Sequence, residues 1–417
     1  MTESVIYARD YRHLKPVKVV LEEGVIQSIN LCDETDASLP IIAPGFVDLQ
    51  INGFQGIDFN HYPFSEEQVE HAVRQLWQHG VTSWLPTVIT AVPDTIGKSM
   101  AVLARACERS QWVGEAIPGF HLEGPFLSPQ DGPRGAHPQS EIRPPDTGLF
   151  DEWQQLAKGR IRILTLSAEW PETAEFIRRY KNDDVLFSIG HTAATPAQID
   201  EAVEAGASMS THLGNGAHLQ LPRHPNYIWQ QLADDRLACT MIADGEHLPI
   251  SVLKVFIRAK GEQAILVSDV TSFAGLAPGY YHSHIGGEVM LSENGRLSLR
   301  DNPQLLAGSA RSLLEGVNYL LRSSLVDLRT AIDMASVRPA RQLSLPQQGG
   351  LTAGAPADFI LFQYDPSQGI RLSSCWKKAQ KVWGDETQDA DRLTELRQPV
   401  EFSHERNREG ASNPPYQ

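Results

Sequence analysis

Histidines and carboxylates recur at one kind of place in this sequence, just after short apolar runs. His121-Leu-Glu123 closes one run, Gly190-His191-Thr192 follows another, and Thr211-His212-Leu213 a third. Ala243-Asp244-Gly-Glu-His247 and Ser268-Asp269 follow two more. Any one such residue is as often a helix cap or a backbone partner. Delivered together to one rim, they are a ligand set for a divalent cation. A Glu with two His suits catalytic Zn²⁺ or a similar ion and leaves a position open for water. The ion lowers the pKa of that water, and a nearby carboxylate can take its proton. Asp269 is the natural base, because it follows a different run from the ligands and can reach across the rim.

The elements that must position these residues are legible as an alternation. Eight apolar runs stand at Phe46–Leu49, Thr82–Val88, Ala116–His121, Ile161–Ser167, Val185–Ile189, Ala207–Ser210, Leu237–Ile242 and Ala264–Val267. Segments of helical period separate most of them: Ser65–His79, Pro93–Ser110, Pro171–Tyr180, Pro196–Ala205 and Pro249–Lys260. Strand and helix alternating eight times predicts an α/β fold of (β/α)₈, TIM-like barrel type, whose active site sits at the C-terminal strand ends. Gly53–Gly56 lacks the spacing of a dinucleotide-binding turn. Gly308–Leu321 and Leu328–Ala340 are expected as further helices closing the rim or the base. Residues 1–45 read as short strands (Ser4–Ala8, Val17–Leu21, Val25–Ile29), and the texture returns at Asp358–Tyr364 and Cys375–Val382. The expected organisation is therefore a small β-sandwich domain built from residues 1–45 and 346–385, with the barrel, residues 46–345, inserted between. Residues 386–417 are charged and polar with no periodic apolar face, as in a flexible tail.

The chain has 417 residues, 41% of them hydrophobic, and a formal charge of −15 from 51 acidic and 36 basic residues. That balance repels nucleic acid in the absence of a basic patch. Cys32, Cys107, Cys239 and Cys375 are scattered singly, as in a reducing compartment. There is no secretory pattern and no apolar run of membrane-spanning length, so the expected location is cytoplasmic.

Many barrel hydrolases carry His-x-His at the end of strand one, where it helps hold a second ion. Here that place reads Asp48-Leu-Gln50-Ile-Asn52. Amides are poor ligands for zinc, so one tightly held ion is expected. The sequence resembles the N-acetylglucosamine-6-phosphate deacetylase family of the amidohydrolase superfamily. The resemblance rests on Pro44-Gly-Phe-Val-Asp-Leu-Gln-Ile-Asn-Gly53, His121-Leu-Glu-Gly-Pro-Phe126, Arg134-Gly-Ala-His137, Gly190-His-Thr-Ala-Ala-Thr195, Thr211-His-Leu-Gly-Asn215, Ile242-Ala-Asp-Gly-Glu-His247, Leu266-Val-Ser-Asp269 and Ala307-Gly-Ser309. It implies that Glu123, His191 and His212 hold the metal: Zn²⁺ first, with Fe²⁺ and Co²⁺ as alternatives. It further implies that Asp269 activates water and then protonates the leaving amine, and that His137 polarises the acetyl carbonyl. Asn215, Gly216 and His247 would contact the phosphate side of a phosphorylated amino sugar. Arg223 would reach the neighbouring active site of a homodimer, presenting its fork to phosphate.

Simpler readings stand beside these: His137 closing an ordered loop, and Arg223 as a surface arginine. The stretch Gly214-Asn-Gly-Ala-His218 lacks the family's aromatic and methionine, and Phe273 adds bulk after Asp269. These departures bear on the substrate, leaving an N-acetylgalactosamine epimer, another N-acyl group or an unphosphorylated amide open. A cyclic amide hydrolase would want His-x-His and a lysine ending strand four, which here ends Leu166-Ser-Ala-Glu169. A silent scaffold would be expected to have lost a ligand or the base.

Overall fold

The runs rich in Val, Ile and Leu pair side by side, because strands apolar on both faces must be covered on both. A computed structural model describes residues 4–34, 36, 38–284 and 287–384. Eight parallel strands follow one another in chain order: Phe46–Ile51, Val81–Ile89, Phe120–Glu123, Ile161–Leu166, Leu186–Ile189, Ala207–Ser210, Ala238–Ile242 and Ala264–Val267. The barrel closes beyond the last strand. Val270 bridges Ile51 in parallel, and the Asn52 amide donates to the Val270 carbonyl at 2.8 Å.

Inside, Val47, Leu49, Leu85, Ile163, Met209, Ile242, Ile265 and Val267 form a core of their own. Ala340, Leu343 and Leu345 join it, so the segment at the helix Val337–Gln342 plugs the N-terminal end of the barrel. The opposite end is left to polar side chains. Two of the alternating helices start at capping boxes, in which Ser65 and Thr195 each pair with a glutamine three residues on.

The two ends of the chain meet in one seven-stranded sheet. Its order is Gln380–Gly384, Gly369–Lys377, Phe359–Asp365, Ile41–Pro44, Ser4–Asp10, Pro16–Glu22 and Val25–Leu31. Ile41–Pro44 joins the halves, antiparallel to Phe359–Asp365 and parallel to Ser4–Asp10. Val25 also bridges Pro356, so the sheet's far edge returns to the late segment.

Three details differ from the sequence reading. The third run does not begin at Ala116, which ends a short helix, Gln111–Ala116; Pro118-Gly119 break it before the strand starts at Phe120. The expected helix Leu328–Ala340 is two, Leu328–Ala335 and Val337–Gln342, separated at Ser336, and the helix expected from Gly308 begins at Leu313. A three-stranded antiparallel sheet, Gly279–Ser283, Gly287–Leu291 and Leu297–Leu299, is inserted after strand eight. The tail expected at residues 386–417 lies outside the described residues.

A buried ion pair ties the sheet to the barrel. Lys377 Nζ lies 2.6 Å from Asp358 Oδ2 and donates to Ser83 Oγ of strand two at 3.3 Å. The two side chains are 6% and 2% exposed. Removing one partner leaves the other buried without compensation, a loss of about 3–5 kcal/mol. Asp358→Ala is therefore expected to lower the denaturant midpoint sharply. A change below about 1 kcal/mol, the scale of an exposed pair, would contradict the reading.

Candidate metal centre and active site

Every barrel strand delivers a polar residue to the C-terminal end. Glu123 is the last residue of strand three, His191 stands two beyond strand five, and His212 two beyond strand six. Their donor atoms converge. Glu123 Oε1 lies 3.2 Å from His191 Nε2 and 2.9 Å from His212 Nε2, and the two nitrogens are 3.2 Å apart. All three residues are buried, and they form the only such cluster of three or more potential metal-binding side chains among the described residues.

The donor set fits a divalent cation. Ligands on a tetrahedral Zn²⁺ at about 2.0–2.1 Å lie roughly 3.3 Å from one another, close to the separations here. His191 Nδ1 donates to the Pro133 carbonyl at 2.7 Å, which leaves a lone pair on Nε2 facing the centre. Burial opposes ionisation of Glu123, yet contact with His191 and His212 outweighs it and holds the carboxyl well below its usual range. Burial likewise opposes charge on His212, but Glu123 and Asp269 push it up to about 9. The field at this point therefore asks for positive charge.

Asp269 stands two residues beyond strand eight, with Oδ1 accepting from Asn52 Nδ2 at 2.7 Å. Burial raises its carboxyl to about 6; His212 pulls it down and Glu123 pushes it up. His191, His212 and Asp269 all have left-handed backbone, with φ of 48°, 28° and 49°. Such conformations cost about 1–3 kcal/mol each and persist only where the surroundings impose them.

His137 is buried beside the cluster, its ring centroid 4.4 Å from that of His191, with Nδ1 2.8 Å from Thr90 Oγ1. Burial, and then the neighbouring His191, lower it to about 3, so it is neutral. Asn215 Nδ2 donates to the His212 carbonyl at 3.2 Å. His247 Nδ1 lies 2.7 Å from Asp244 Oδ2, and Asp244 Oδ1 accepts the backbone N–H of Glu246 and His247. Arg223 is exposed and makes no ion pair or side-chain hydrogen bond among the described residues. It is the one predicted site residue that a single chain leaves unanchored.

The positioning roles of several residues are not legible in the sequence. Beneath the ligands, His121 Nδ1 lies 3.0 Å from the Leu49 carbonyl and Nε2 2.7 Å from Thr165 Oγ1. Burial lowers His121 to about 4, so the ring is neutral. Nδ1 must donate to the carbonyl, and Nε2 must accept from Thr165. Thr165 then accepts from Thr211 at 2.7 Å, and Thr211 from Ser188 at 2.5 Å. This chain has one consistent direction and joins strands three to five to the turn after strand six. Asn52, read from the sequence only as an absent ligand, holds Asp269, and Thr90 holds His137. Two residues singled out as pocket departures have other employment. Phe273 packs with Val289, Leu291 and Leu297 in the core of the inserted sheet, and His218 bonds Tyr227 Oη and Gln130.

Gly216 has φ of +55°, and a Cβ there would stand 2.5 Å from His191 Nδ1. A methyl group cannot occupy that space unless the imidazole moves. Gly216→Ala is thus expected to weaken metal binding at least about tenfold, a loss of about 1.4 kcal/mol, while the chain stays folded. Metal titration followed beside circular dichroism checks this, and unchanged metal affinity would refute the packing role.

The sequence matches the Amidohydrolase family over residues 41–385. It is 34% identical over 330 residues to N-acetylglucosamine-6-phosphate deacetylase of Bacillus subtilis (strain 168), covering 78% of this chain and 81% of that one. It is also 34% identical over 332 residues to N-acetylgalactosamine-6-phosphate deacetylase of Shewanella sp. (strain ANA-3), covering 78% and 79%. Among solved structures, a mutant N-acetyl-D-glucosamine-6-phosphate deacetylase from Mycobacterium smegmatis, in complex with N-acetyl-D-glucosamine-6-phosphate, superposes with a TM-score of 0.79 at 25% identity, covering 92% of this chain and all of that one. With the fold, the ligand cluster and these likenesses together, the chain belongs to the amidohydrolase superfamily and, within it, to the N-acetylglucosamine-6-phosphate deacetylase family of metal-dependent hydrolases.

Proposed function

We propose that this protein hydrolyses the N-acetyl amide of N-acetyl-D-glucosamine 6-phosphate, releasing acetate and the free amine. The observation that carries the reading is the buried cluster of Glu123, His191 and His212 with Asp269 held beside it by Asn52. Glu123, His191 and His212 would hold a divalent cation, Zn²⁺ the first choice, which when bound would supply Lewis acidity.

The chain's own residues do the rest. Asp269, with Oδ1 engaged by Asn52, keeps Oδ2 to take the proton of the attacking water and return it to the departing nitrogen. Neutral His137, accepting at Nδ1 from the Thr90 hydroxyl, presents Nε2–H to the acyl oxygen as negative charge builds there. His247, oriented by Asp244, and Asn215 with the backbone of Gly216 face the phosphate side. Arg223 completes that side from a second copy in a homodimer. Support for the second copy comes from the apolar surface near Arg223, where Leu219 is 96% and Trp229 52% exposed. All four cysteines are unpaired, Cys107, Cys239 and Cys375 of them buried, which supports a reducing cytoplasm; no helix among the described residues is long and apolar enough to cross a membrane.

A second reading, N-acetylgalactosamine 6-phosphate as substrate, is favoured by the equal identity to the Shewanella relative. The metal and proton-transfer residues serve both epimers alike, so the pocket wall decides between them.

Amine release from the metal-loaded protein tests the proposal. The glucosamine substrate is expected to turn over with kcat/KM of at least about 10⁴ M⁻¹s⁻¹, and the unphosphorylated sugar far more slowly. Asp269→Asn should cost about 10²–10⁴-fold in kcat with the metal retained. Metal bound without cleavage of either epimer would refute the substrate class, and an active Asp269→Asn would refute the proton-transfer role.

A further inference from the structure

A group of arginines lies at the end of the barrel opposite Glu123. Arg329 stands on the helix Leu328–Ala335, Arg338 and Arg341 on Val337–Gln342, and Arg12 just after the first strand of the terminal sheet. With Glu262 and Asp333 they line a cavity of about 200 Å³. Glu262 lies in the short turn Gly261–Gln263 that leads into strand eight, which places the cavity at that strand's N-terminal end.

The negative charges there are already engaged. Glu262 Oε1 accepts from Arg338 Nη2 at 3.2 Å. Asp333 Oδ1 accepts from the Tyr11 hydroxyl at 2.7 Å, and its other oxygen lies 3.6 Å from Arg329 Nε. Arg12 is paired with buried Asp10.

One guanidinium has no carboxylate, and another, paired with Glu262, keeps a single unpartnered N–H. Arg341 is exposed and has no side-chain partner among the described residues. Arg338 is 5% exposed; its Nη1 donates to the Gly261 and Ala264 carbonyls at 2.8 and 3.0 Å, while its Nε is buried without a partner. A buried donor with no acceptor is costly, about 1–3 kcal/mol and more for a charged group. Four guanidiniums against three carboxylates, Asp10, Glu262 and Asp333, leave Arg341 uncompensated at the wall, which is suited to an oxyanion that the planar fork engages in pairs of hydrogen bonds.

We propose that this cavity binds a small phosphate-bearing anion, inorganic phosphate or a phosphate monoester, through Arg338 and Arg341. The site is separate from the catalytic centre and does not depend on the substrate assigned to it. It is also joined to the barrel floor: Ala340, between the two arginines, packs into the interior core with Val47 and Ile265.

The test is thermal unfolding of the full chain in inorganic phosphate against chloride at matched ionic strength. A His247→Ala background weakens the phosphate contact proposed for the catalytic face. Phosphate is expected to raise Tm saturably in that background. Arg341→Gln should weaken the response at least about tenfold, and Arg341→Lys should retain part of it. Arg341 is exposed and unpartnered, so these variants are expected to fold. Running glucose 6-phosphate beside inorganic phosphate tells ester from free anion, and a preference for either supports the site. No phosphate-specific rise in the His247→Ala protein, or an undiminished one in Arg341→Gln, overturns the proposal.

Discussion

Two imidazoles and a carboxylate, each buried, point their donor atoms at one another across 2.9–3.2 Å, with lone-pair direction on His191 already set by the Pro133 carbonyl. That arrangement is repulsive or half-satisfied unless positive charge, a proton on His212 or a bound cation, occupies the middle. The fold is organised around meeting this demand. Three strands end with left-handed residues to aim the ligands and Asp269, and the strain is held in place by hydrogen bonds beneath and beside them. The directional chain from Ser188 through Thr211 and Thr165 to His121 fixes one tautomer and one set of hydroxyl orientations below the ligands. Buried polar networks of this kind stabilise only when every member is satisfied, and here each link finds a partner.

The two ends of the barrel divide the labour. The N-terminal end is sealed by apolar side chains from strands and from the segment around Ala340 and Leu343. The C-terminal end carries the chemistry, with Glu123, His191, His212 and Asp269 at or within two residues of rigid strand ends and His137 on the longer connection after strand three. The terminal sheet contributes no ligand. It covers the outside of the barrel and fastens to strand two through Lys377, Asp358 and Ser83.

Much of this was written in the sequence because strand ends are local features. Apolar runs separated by helical periods locate the eight strands, and the residues just past them are the ones that converge, Glu123, His191, His212 and Asp269 among them. What escaped is set by contacts between distant positions. Asn52 reads as a missing ligand on strand one, yet its amide holds Asp269 from 217 residues away. Gly216 reads as a backbone contact for substrate, while its space is filled by the His191 ring. Phe273 reads as a pocket wall, but the inserted sheet that buries it has short strands with weak alternation and no clear periodicity. Helices such as Thr147–Leu156 and Tyr227–Ala233 are brief and capped by a single Asp146 or Asn226, signals that turns share. The metal ligands are therefore legible from one strand at a time, and the residues that orient them only from the closed barrel.

The most direct measurement of the central claim is calorimetric titration of the metal-stripped chain with Zn²⁺, with Glu123→Gln beside it. The account predicts one tightly bound ion per chain, and a large loss of affinity when the carboxylate becomes an amide, since strand one offers Gln50 and Asn52 in place of further imidazoles. Two tight ions per chain, or one whose affinity is indifferent to Glu123, would contradict it.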